Sequence, residues 1–495
     1  VSLIHALRTA LRDHAHATAV VEGDDSHSYA ELDRLSADMA GGLAEHGVTG
    51  GDIVAIQAAR GWDRCVAVLA AWRLGAGVVS IDREQPAARA RKIAVNSGTR
   101  LVLRGRGTPP LADFGAPTHT FDEMRGKPGD DADDGPVCYV IPTSGSTGEP
   151  KAVAVPPATL ANLGRWHVDH WPHPTPPDTL HAASVGFDVG YEELVATWLS
   201  GARLVIVDDP TRRDFPALHA TLRRHRVARA FLPVQALHGL AMAALLESEG
   251  LPDLRELVIA GERLVVNDEV REFCAADGLA LVNHYGPSET HVVTHHRLPG
   301  HPSAWPDHPP IGNAVAGVEL LAHADGAVRP FAPGEEAELV IAGDCVALGY
   351  LGDDELTARR FRRLPHRDGA LRRCYFSGDQ VRFDGRDFHF LHRVDQQLKI
   401  RGYRVEPGEV EAVVQAVPGV RHAVAFGVGH GNAHLGVCYA LRDDGSVTAT
   451  ELRAACRDAL PDYMVPAHYW ELEEFPVTRN GKVDRAALRQ MFTHQ

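Results

Sequence analysis

The feature that most constrains the fold is an alternation near the start of the chain. Ile53-Val54-Ala55-Ile56 reads as a strand, Cys65 to Leu74 as an apolar helix stopped by Gly75, and Val78-Val79-Ser80-Ile81 as the next strand. Strands this apolar, separated by a helix, predict a parallel sheet covered by helices, since parallel neighbours need a crossover between them. Leu101-Val102-Leu103 continues the pattern. Ahead of it, residues 2–13 read as an amphipathic helix. Ser28-Tyr29-Ala30-Glu31 is a capping box before Leu32, Leu35, Met39 and Leu43, which recur at helical spacing until Gly47. Alternation resumes with Glu192 to Leu199, Leu204 to Val207, Leu218 to His225, Ala230 to Leu232 and Leu257 to Ile259. From about Gly312 the texture changes to short strands punctuated by glycine (Val318 to Ala322, Ala337 to Ala342, Gln380 to Phe383, Phe388 to Leu391). The rest reads as helix Pro407 to Val417, strands His422 to Val428 and Leu435 to Ala440, and helix Thr448 to Leu460. The predicted class is α/β: a large N-terminal domain over 1–394 with a β-rich subdomain at about 312–394, then a small, mobile α/β domain over 395–495.

A chain of 495 residues exceeds one ordinary core. No apolar run is long enough to span a membrane, and no signal-peptide pattern is present. Seven scattered cysteines without a CxxC pair fit buried, reduced thiols in a cytoplasmic protein. The balance of 50 basic against 65 acidic residues argues against a general nucleic-acid binder. Val1 stands directly before a helical pattern, which suggests a segment of a longer polypeptide.

The densest chemistry is the loop Thr143-Ser144-Gly145-Ser146-Thr147-Gly148-Glu149-Pro150-Lys151, entered by the apolar run Val137 to Ile141 and left by Ala152 to Val155. Glycines let backbone N–H groups face a ligand, and hydroxyls with a cation complete a cradle for phosphate oxygens. A Ser/Gly surface loop is the plainer reading, and the P-loop pattern is not met, because Pro150 precedes Lys151. The acidic stretch Gly126 to Gly135 reads as a solvated linker leading to this loop. His167, His170 and His173 share a spacing of three, but the prolines around them argue against one helical face and so against a metal site.

Asn283 to Thr290 follows a short strand, Leu279 to Val282, and its Gly286-Pro287 pair forces a turn. Tyr285 offers a flat face for a base, Ser288 and Thr290 offer hydroxyls to phosphate, and Glu289 offers oxygen to Mg²⁺. Ser377-Gly378-Asp379 presents a carboxylate able to accept a diol. Arg393 to Gly402 is a basic cluster at the edge of the β-rich unit, and Asn480-Gly481-Lys482 puts a lysine on a tight turn. Each has a bland alternative: a decorated turn, an ordinary Gly-Asp turn, a solvated linker, a solvated terminal lysine.

In this order, with Phe187-Asp188 and Gly343 to Tyr350, these stretches resemble the adenylate-forming superfamily, and within it the adenylation domains of nonribosomal peptide synthetases. The resemblance covers essentially the whole chain. It implies activation of an amino acid with ATP as aminoacyl-AMP, release of pyrophosphate, and transfer to the phosphopantetheine thiol of a peptidyl carrier protein. It implies Mg²⁺ as cofactor and, in some members, a small MbtH-like partner. Carried over residue by residue, Lys482 matches the lysine that bridges substrate carboxylate and phosphate, Glu289 the Mg²⁺ ligand, Asp379 the ribose-diol acceptor, and Arg393 the arginine beside ribose and phosphate. The loop Thr143, Ser144, Gly145, Ser146, Thr147, Gly148 and Lys151 would hold the pyrophosphate portion, with Ser288 and Thr290 at phosphate-contacting positions. Gly261, Glu262, His284 and Tyr285 would frame adenine, and Asp395 matches the hinge. Ser288 and Ser377 replace threonine, Ala152 and His392 replace glycine, and Pro407 replaces leucine; none of these removes a catalytic group.

The same match gives a side-chain pocket of Asp188, Val189, Glu192, Phe231, Val258, Ala260, His284, Val292 and Val293, with Lys482 at its carboxylate end. Asp188 matches the residue that pairs with the α-amino group. A carboxylate among valines is costly unless paired, so Glu192 points to a basic side chain. Phe231 offers a face for a guanidinium, which favours arginine or a cyclic derivative such as capreomycidine; neutralisation of Glu192 by His284 is the alternative. The rival functions are an acyl- or aryl-CoA ligase, which Asp188 disfavours, and a degenerate ligand-binding relative, which Lys482, Asp379, Arg393 and Glu289 disfavour. No carrier motif follows Asp484, so the thiol acceptor is expected on another segment or chain.

Overall fold

The predicted alternation is realised as two largely parallel sheets in a computed structural model that describes residues 2–129, 131–145, 149–247, 250–366, 369–400, 402–429, 434–442, 445–476 and 483–492. The first sheet runs in the spatial order Gly349–Tyr350, Lys151–Val155, Tyr139–Thr143, Gly77–Ser80, Ile53–Gln57, Thr99–Arg104, Thr118–Thr120. The second runs Asn313–Ala314, Thr294–Arg297, Ala280–Tyr285, Glu256–Ile259, Arg229–Leu232, Thr179–His181, Leu204–Ile206, Thr18–Glu22, Asp25–Ser28. Its central strands are parallel and buried along their whole length, as at Arg229–Leu232 and Glu256–Ile259. The helix Trp62–Arg73 is buried at every residue except Asp63, which explains the unbroken apolar run Cys65 to Trp72. Its Arg73 is tolerated inside because Ser36, Asp33 and Asp131 accept its protons.

Local chemistry sets the element ends. Ser28 and Glu31 form the reciprocal capping box ahead of Tyr29–Glu45. Asp188 caps Val189–Ser200, and Gly201 ends that helix at φ 75°.

A third, antiparallel sheet holds Val318–Ala324, Ala327–Pro330, Glu336–Gly343, Phe361–Pro365, Leu371–Phe383 and Phe388–Arg393. It differs from the expected β-rich unit at both ends. Asn313–Ala314 pairs with Thr294–Arg297 in the second parallel sheet, and Gly349–Tyr350 pairs with Lys151–Val155 in the first. The chain thus crosses between layers inside the span that composition marked as one unit. Beyond it come the hairpin Leu398–Ile400 with Tyr403–Val405 and a separate three-stranded sheet of Val420–Val428, His434–Leu441 and His468–Glu471. The helices Pro407–Gln415 and Ala449–Ala459 pack on this sheet's core.

Three local expectations change. The acidic stretch after Gly126 is no free linker: Asp131 pairs with Arg8 and Arg73, and Asp134 accepts from the N–H groups of Leu3 and Ile4 at a helix start. His167 and His170 do share a helix, Pro157–His170, because the proline cluster begins only after its end; His173 lies beyond it. The strand expected over Leu279 to Val282 runs instead from Ala280 to Tyr285, so His284 and Tyr285 are strand residues, held by pairing with Thr294–Arg297. All seven cysteines are buried, and none forms a disulfide among the described residues. No helix among the described residues is long and apolar enough to cross a membrane.

Candidate active site

Parallel strands in open α/β sheets leave a crevice beyond their carboxyl ends, and ligands bind there. Here the ends of Arg229–Leu232, Glu256–Ile259 and Ala280–Tyr285 deliver Val234, Gly261, Glu262 and Gly286 to the wall of a cavity of about 1370 Å³. Its other wall comes from Phe390 to Lys399 and from Pro407.

The expected adenine residues Gly261, Glu262, His284 and Tyr285 line this cavity with Arg393, and Tyr285 and Arg393 both bond Asp379. The Tyr285 hydroxyl donates to Asp379 Oδ2 at 2.5 Å, and Arg393 Nη1 donates to Asp379 Oδ1 at 2.5 Å. Arg393 also grips both oxygens of Asp395, at 2.7 and 2.8 Å, and donates to the Ser377 carbonyl at 3.1 Å. Asp379 is buried, so its charge depends on Arg393, and burial pushes the Tyr285 hydroxyl well above its usual range. A carboxylate has more lone pairs than these two donors use, so Asp379 keeps acceptor capacity toward a diol. Gly261 stands at φ 91°, and Glu262 accepts from the Gly402 N–H.

The loop at Thr143 forms a hairpin turn, with Thr143 paired to Lys151. Ser146, Thr147 and Gly148 lie outside the described residues, as does Lys482. The described part of the loop is engaged by the chain around residues 404–409. Ser144 Oγ donates to the Arg404 carbonyl at 2.9 Å and accepts from the Glu406 N–H at 3.0 Å. Gly145 N–H donates to Glu409 at 3.2 Å, Lys151 Nζ pairs with Glu406 at 3.0 Å, and Arg89 pairs with Glu409.

Glu289 has 0 % exposure, and both its oxygens are taken: Tyr350 donates at 2.8 Å and Arg404 at 2.6 Å. Burial alone would push this carboxyl up, but the Arg404 charge and the two donors hold it down at about 2. Each oxygen of the Mg²⁺ ligand expected from sequence thus already accepts one donor, and the positive charge beside it in this arrangement is that of Arg404. Thr290 is fully buried and donates within its own turn, to Pro287 or His291, so it does not face a phosphate; Ser288 is half-buried. The turn is tight: His291 adopts φ 56°, and a Cβ on Gly286 would lie 1.7 Å from the His291 carbonyl oxygen, so only glycine fits.

The expected side-chain pocket is brought together in part. Phe231, Val258 and Val282 form one apolar cluster with Val189 against it, and Ala260 follows the same strand end as Ile259. Val292 packs instead with Leu163 and Trp166, and Val293 lies in the main core. Asp188 accepts from its own helix at Val189 N, and burial pushes its carboxyl up. Glu192, at 2 % exposure, points inward. His167 Nε2 donates to its Oε1 at 2.7 Å, with His284 Nδ1 at 3.5 Å from the same oxygen. The face of Phe231 expected to receive a guanidinium meets one from within: Arg229 lies 5.3 Å from its ring. Sequence reasoning missed Arg404, Tyr350 and His167. The first two had a signal in the charged run after Arg401 and in the Gly343 to Tyr350 stretch; His167 had only a spacing that suggested the wrong chemistry.

Comparison with known proteins places the chain in a family. The model for "AMP-binding enzyme" matches residues 7–351 and that for "AMP-binding enzyme C-terminal domain" residues 409–482. Tyrocidine synthase 2 of Brevibacillus parabrevis is 34% identical over 481 residues, which are 95% of this chain and 13% of that protein. Phosphinothricin tripeptide synthetase PhsC of Streptomyces viridochromogenes is 35% identical over 502 residues, 97% of this chain and 44% of that one. The chain thus spans well under half the length of these relatives. Among solved structures, holo-PA1221, described as a nonribosomal peptide synthetase protein containing adenylation and carrier domains, superposes with TM-score 0.84 at 26% identity, covering 98% of this chain and 84% of that one. The chain belongs to the AMP-binding enzyme family of adenylate-forming ligases, and its relatives within that family are nonribosomal peptide synthetases.

Proposed function

We propose that this chain is an amino-acid adenylation unit of a nonribosomal peptide synthetase, which activates a basic amino acid with ATP and passes it to the phosphopantetheine thiol of a carrier protein. The observation that carries the reading is the Tyr285–Asp379–Arg393 hydrogen-bonded set, whose Tyr285 and Arg393 line the cavity beyond the second sheet together with Gly261 and Glu262. Solved relatives that pair adenylation and carrier domains support the thiol acceptor.

In the first half-reaction an oxygen of the amino-acid carboxylate attacks the α-phosphorus, the bond to pyrophosphate breaks, and aminoacyl-AMP forms. Both reactants are anionic, so fixed positive charge has to lower the barrier. Arg393, held by Asp379 and Asp395, is oriented to supply part of it. Lys482 is assigned the carboxylate–phosphate bridge by its sequence match. Asp379 receives the ribose diol and Asp188 the α-ammonium group. Mg²⁺ would supply Lewis-acid charge at phosphate; since Arg404 holds Glu289 here, no step is assigned to the ion. In the second half-reaction the thiol attacks the acyl carbon and AMP leaves.

The engagement of residues 402–409 with Glu262, Ser144, Gly145 and Glu289, directly after Asp395, supports reading Asp395 as the hinge about which these contacts form and break. For the side chain, the buried Glu192 carboxylate supports a cationic substrate, of which arginine or a cyclic relative such as capreomycidine is one form. Amino-acid-dependent ATP–pyrophosphate exchange across proteinogenic and arginine-derived substrates, beside a panel of fatty and aryl acids, tests this. Exchange with basic amino acids is expected. Exchange with simple acids alone would favour a CoA ligase, and none with any substrate a degenerate relative. Repeating the panel with a co-purified MbtH-like protein tests that partner.

A further inference from the structure

The charge of the side-chain pocket has an internal arrangement that the substrate assignment does not explain. Glu192 Oε1 accepts from His167 Nε2 at 2.7 Å, while Glu192 Oε2 is buried and has no hydrogen-bond partner among the described residues. Its nearest ring, His291, is not a donor: Nδ1 lies 3.9 Å away and already accepts from the Val292 N–H, while Nε2 faces the Asp188 carbonyl at 3.3 Å. Both ring nitrogens of His284 are likewise buried and without a hydrogen bond among the described residues. His284 Nδ1 faces Oε1 at 3.5 Å, so a neutral ring with its proton there has an acceptor at Nε2. A buried acceptor left unsatisfied is costly, and the charged oxygen of Glu192 above all calls for a donor group.

We propose that His167 is a positioning residue for substrate selection: its Nε2–H occupies one oxygen of Glu192 and presents the other, together with His284, to a cationic side chain with at least two N–H donors. This rests on the reading of the Asp188–Glu192 stretch as the amino-acid pocket. His167 lies on Pro157–His170, away from the stretch that carries Asp188 and Glu192, and its ring meets Phe231 edge-on at 5.5 Å. It thus couples the acidic end of the pocket to its aromatic wall. Burial lowers the His167 ring to about 4, against the pull of Glu192, so at neutral pH it is an uncharged donor and the carboxylate keeps its charge for the substrate. A guanidinium or a primary ammonium satisfies both free acceptors; a neutral isostere such as a ureido group satisfies them without compensating the charge.

The test measures exchange kinetics for arginine and citrulline, or for whichever cationic amino acid the substrate panel selects and its neutral isostere. The wild type, His167→Leu, His167→Gln and Glu192→Gln are compared, with the double variant H167L/E192Q. His167→Leu is expected to raise the KM of the cation roughly tenfold or more, with kcat and the KM for ATP unchanged within about twofold. His167→Gln, whose amide donor reaches the same place, restores most of the loss. In the Glu192→Gln background His167→Leu adds little. If the leucine variant does not fold, selective ¹⁵N-histidine labelling of the wild type replaces it: a far-downfield, hydrogen-bonded ring N–H proton lost in Glu192→Gln is expected, while that of the buried His181–Glu193 pair stays in both. An unchanged cation-to-isostere ratio in His167→Leu, absence of that proton, or stoichiometric zinc in the wild type that His167→Leu loses overturns the proposal. Wild-type exchange with neutral amino acids alone overturns the basic-substrate reading itself, an outcome visible before any variant is made.

Discussion

Arg404 is the side chain whose removal tests the arrangement most directly. Glu289 has 0 % exposure, and among the described residues its oxygens are met by Arg404 at 2.6 Å and the Tyr350 hydroxyl at 2.8 Å. Arg404→Met leaves a buried carboxylate with one neutral donor, and breaking one side of such a pair costs about 3–5 kcal/mol. The cost falls on the contact between segment 402–409 and the core, which is otherwise held by hydrogen bonds such as Glu406 N–H to Ser144 Oγ and by the Lys151–Glu406 and Arg89–Glu409 pairs. Opening of the segment 402–409 should therefore become easier by roughly 100-fold or more. Amide hydrogen exchange followed by mass spectrometry reads this in peptides covering Tyr403 to Glu409, with the sheet strand Arg229–Leu232 as an unchanged control. Adding Glu289→Gln to the variant removes the stranded charge and should restore most of the protection. Exchange within about threefold of wild type in Arg404→Met, or no recovery in the double variant, would refute the account of Arg404 as the clamp.

Other expectations share this logic. Glu192→Gln should lower kcat/KM for a cationic substrate by roughly 100-fold, as a buried charged pair is lost; unchanged kinetics would count against the pairing. Lys482→Ala should impair adenylation far more than thioester formation from a supplied adenylate, and equal losses would sink the hinge. Asp379→Asn removes the charge that orients Arg393 and should raise the KM for ATP roughly tenfold in the exchange assay, with the amino-acid KM little changed. Glu289 is depressed from 4.5 to about 2, so its contribution to the hairpin contact is complete above pH 4.5 and is lost as pH falls toward 2. Protection factors in Tyr403 to Glu409, taken relative to the intrinsic exchange rate at each pH, should fall over that interval in wild type and stay flat in the Glu289→Gln, Arg404→Met variant.

What the sequence by itself determined was set by local rules. The apolar runs around Ile53, Val78 and Leu257, the capping box at Ser28 and the Gly-Pro turn at Gly286 each carry their structure in a few neighbouring residues, and an ordered series of such motifs was enough for the family. The residues that meet at the crevice were legible too, because Tyr285, Asp379 and Arg393 each sit in a short motif. What only the tertiary structure decided was which charges cancel. Glu289 could be read as a metal ligand until Arg404, distant in sequence, was found on it. Glu192 could be read as unpaired until the helix Pro157–His170 brought His167 to one of its oxygens. Asp131 and Asp134 looked solvated until Arg73 and the first helix reached them. In each case the deciding partner is supplied by another element across the fold. The cost of burying a charge depends on that partner's distance, which spacing along the chain does not encode.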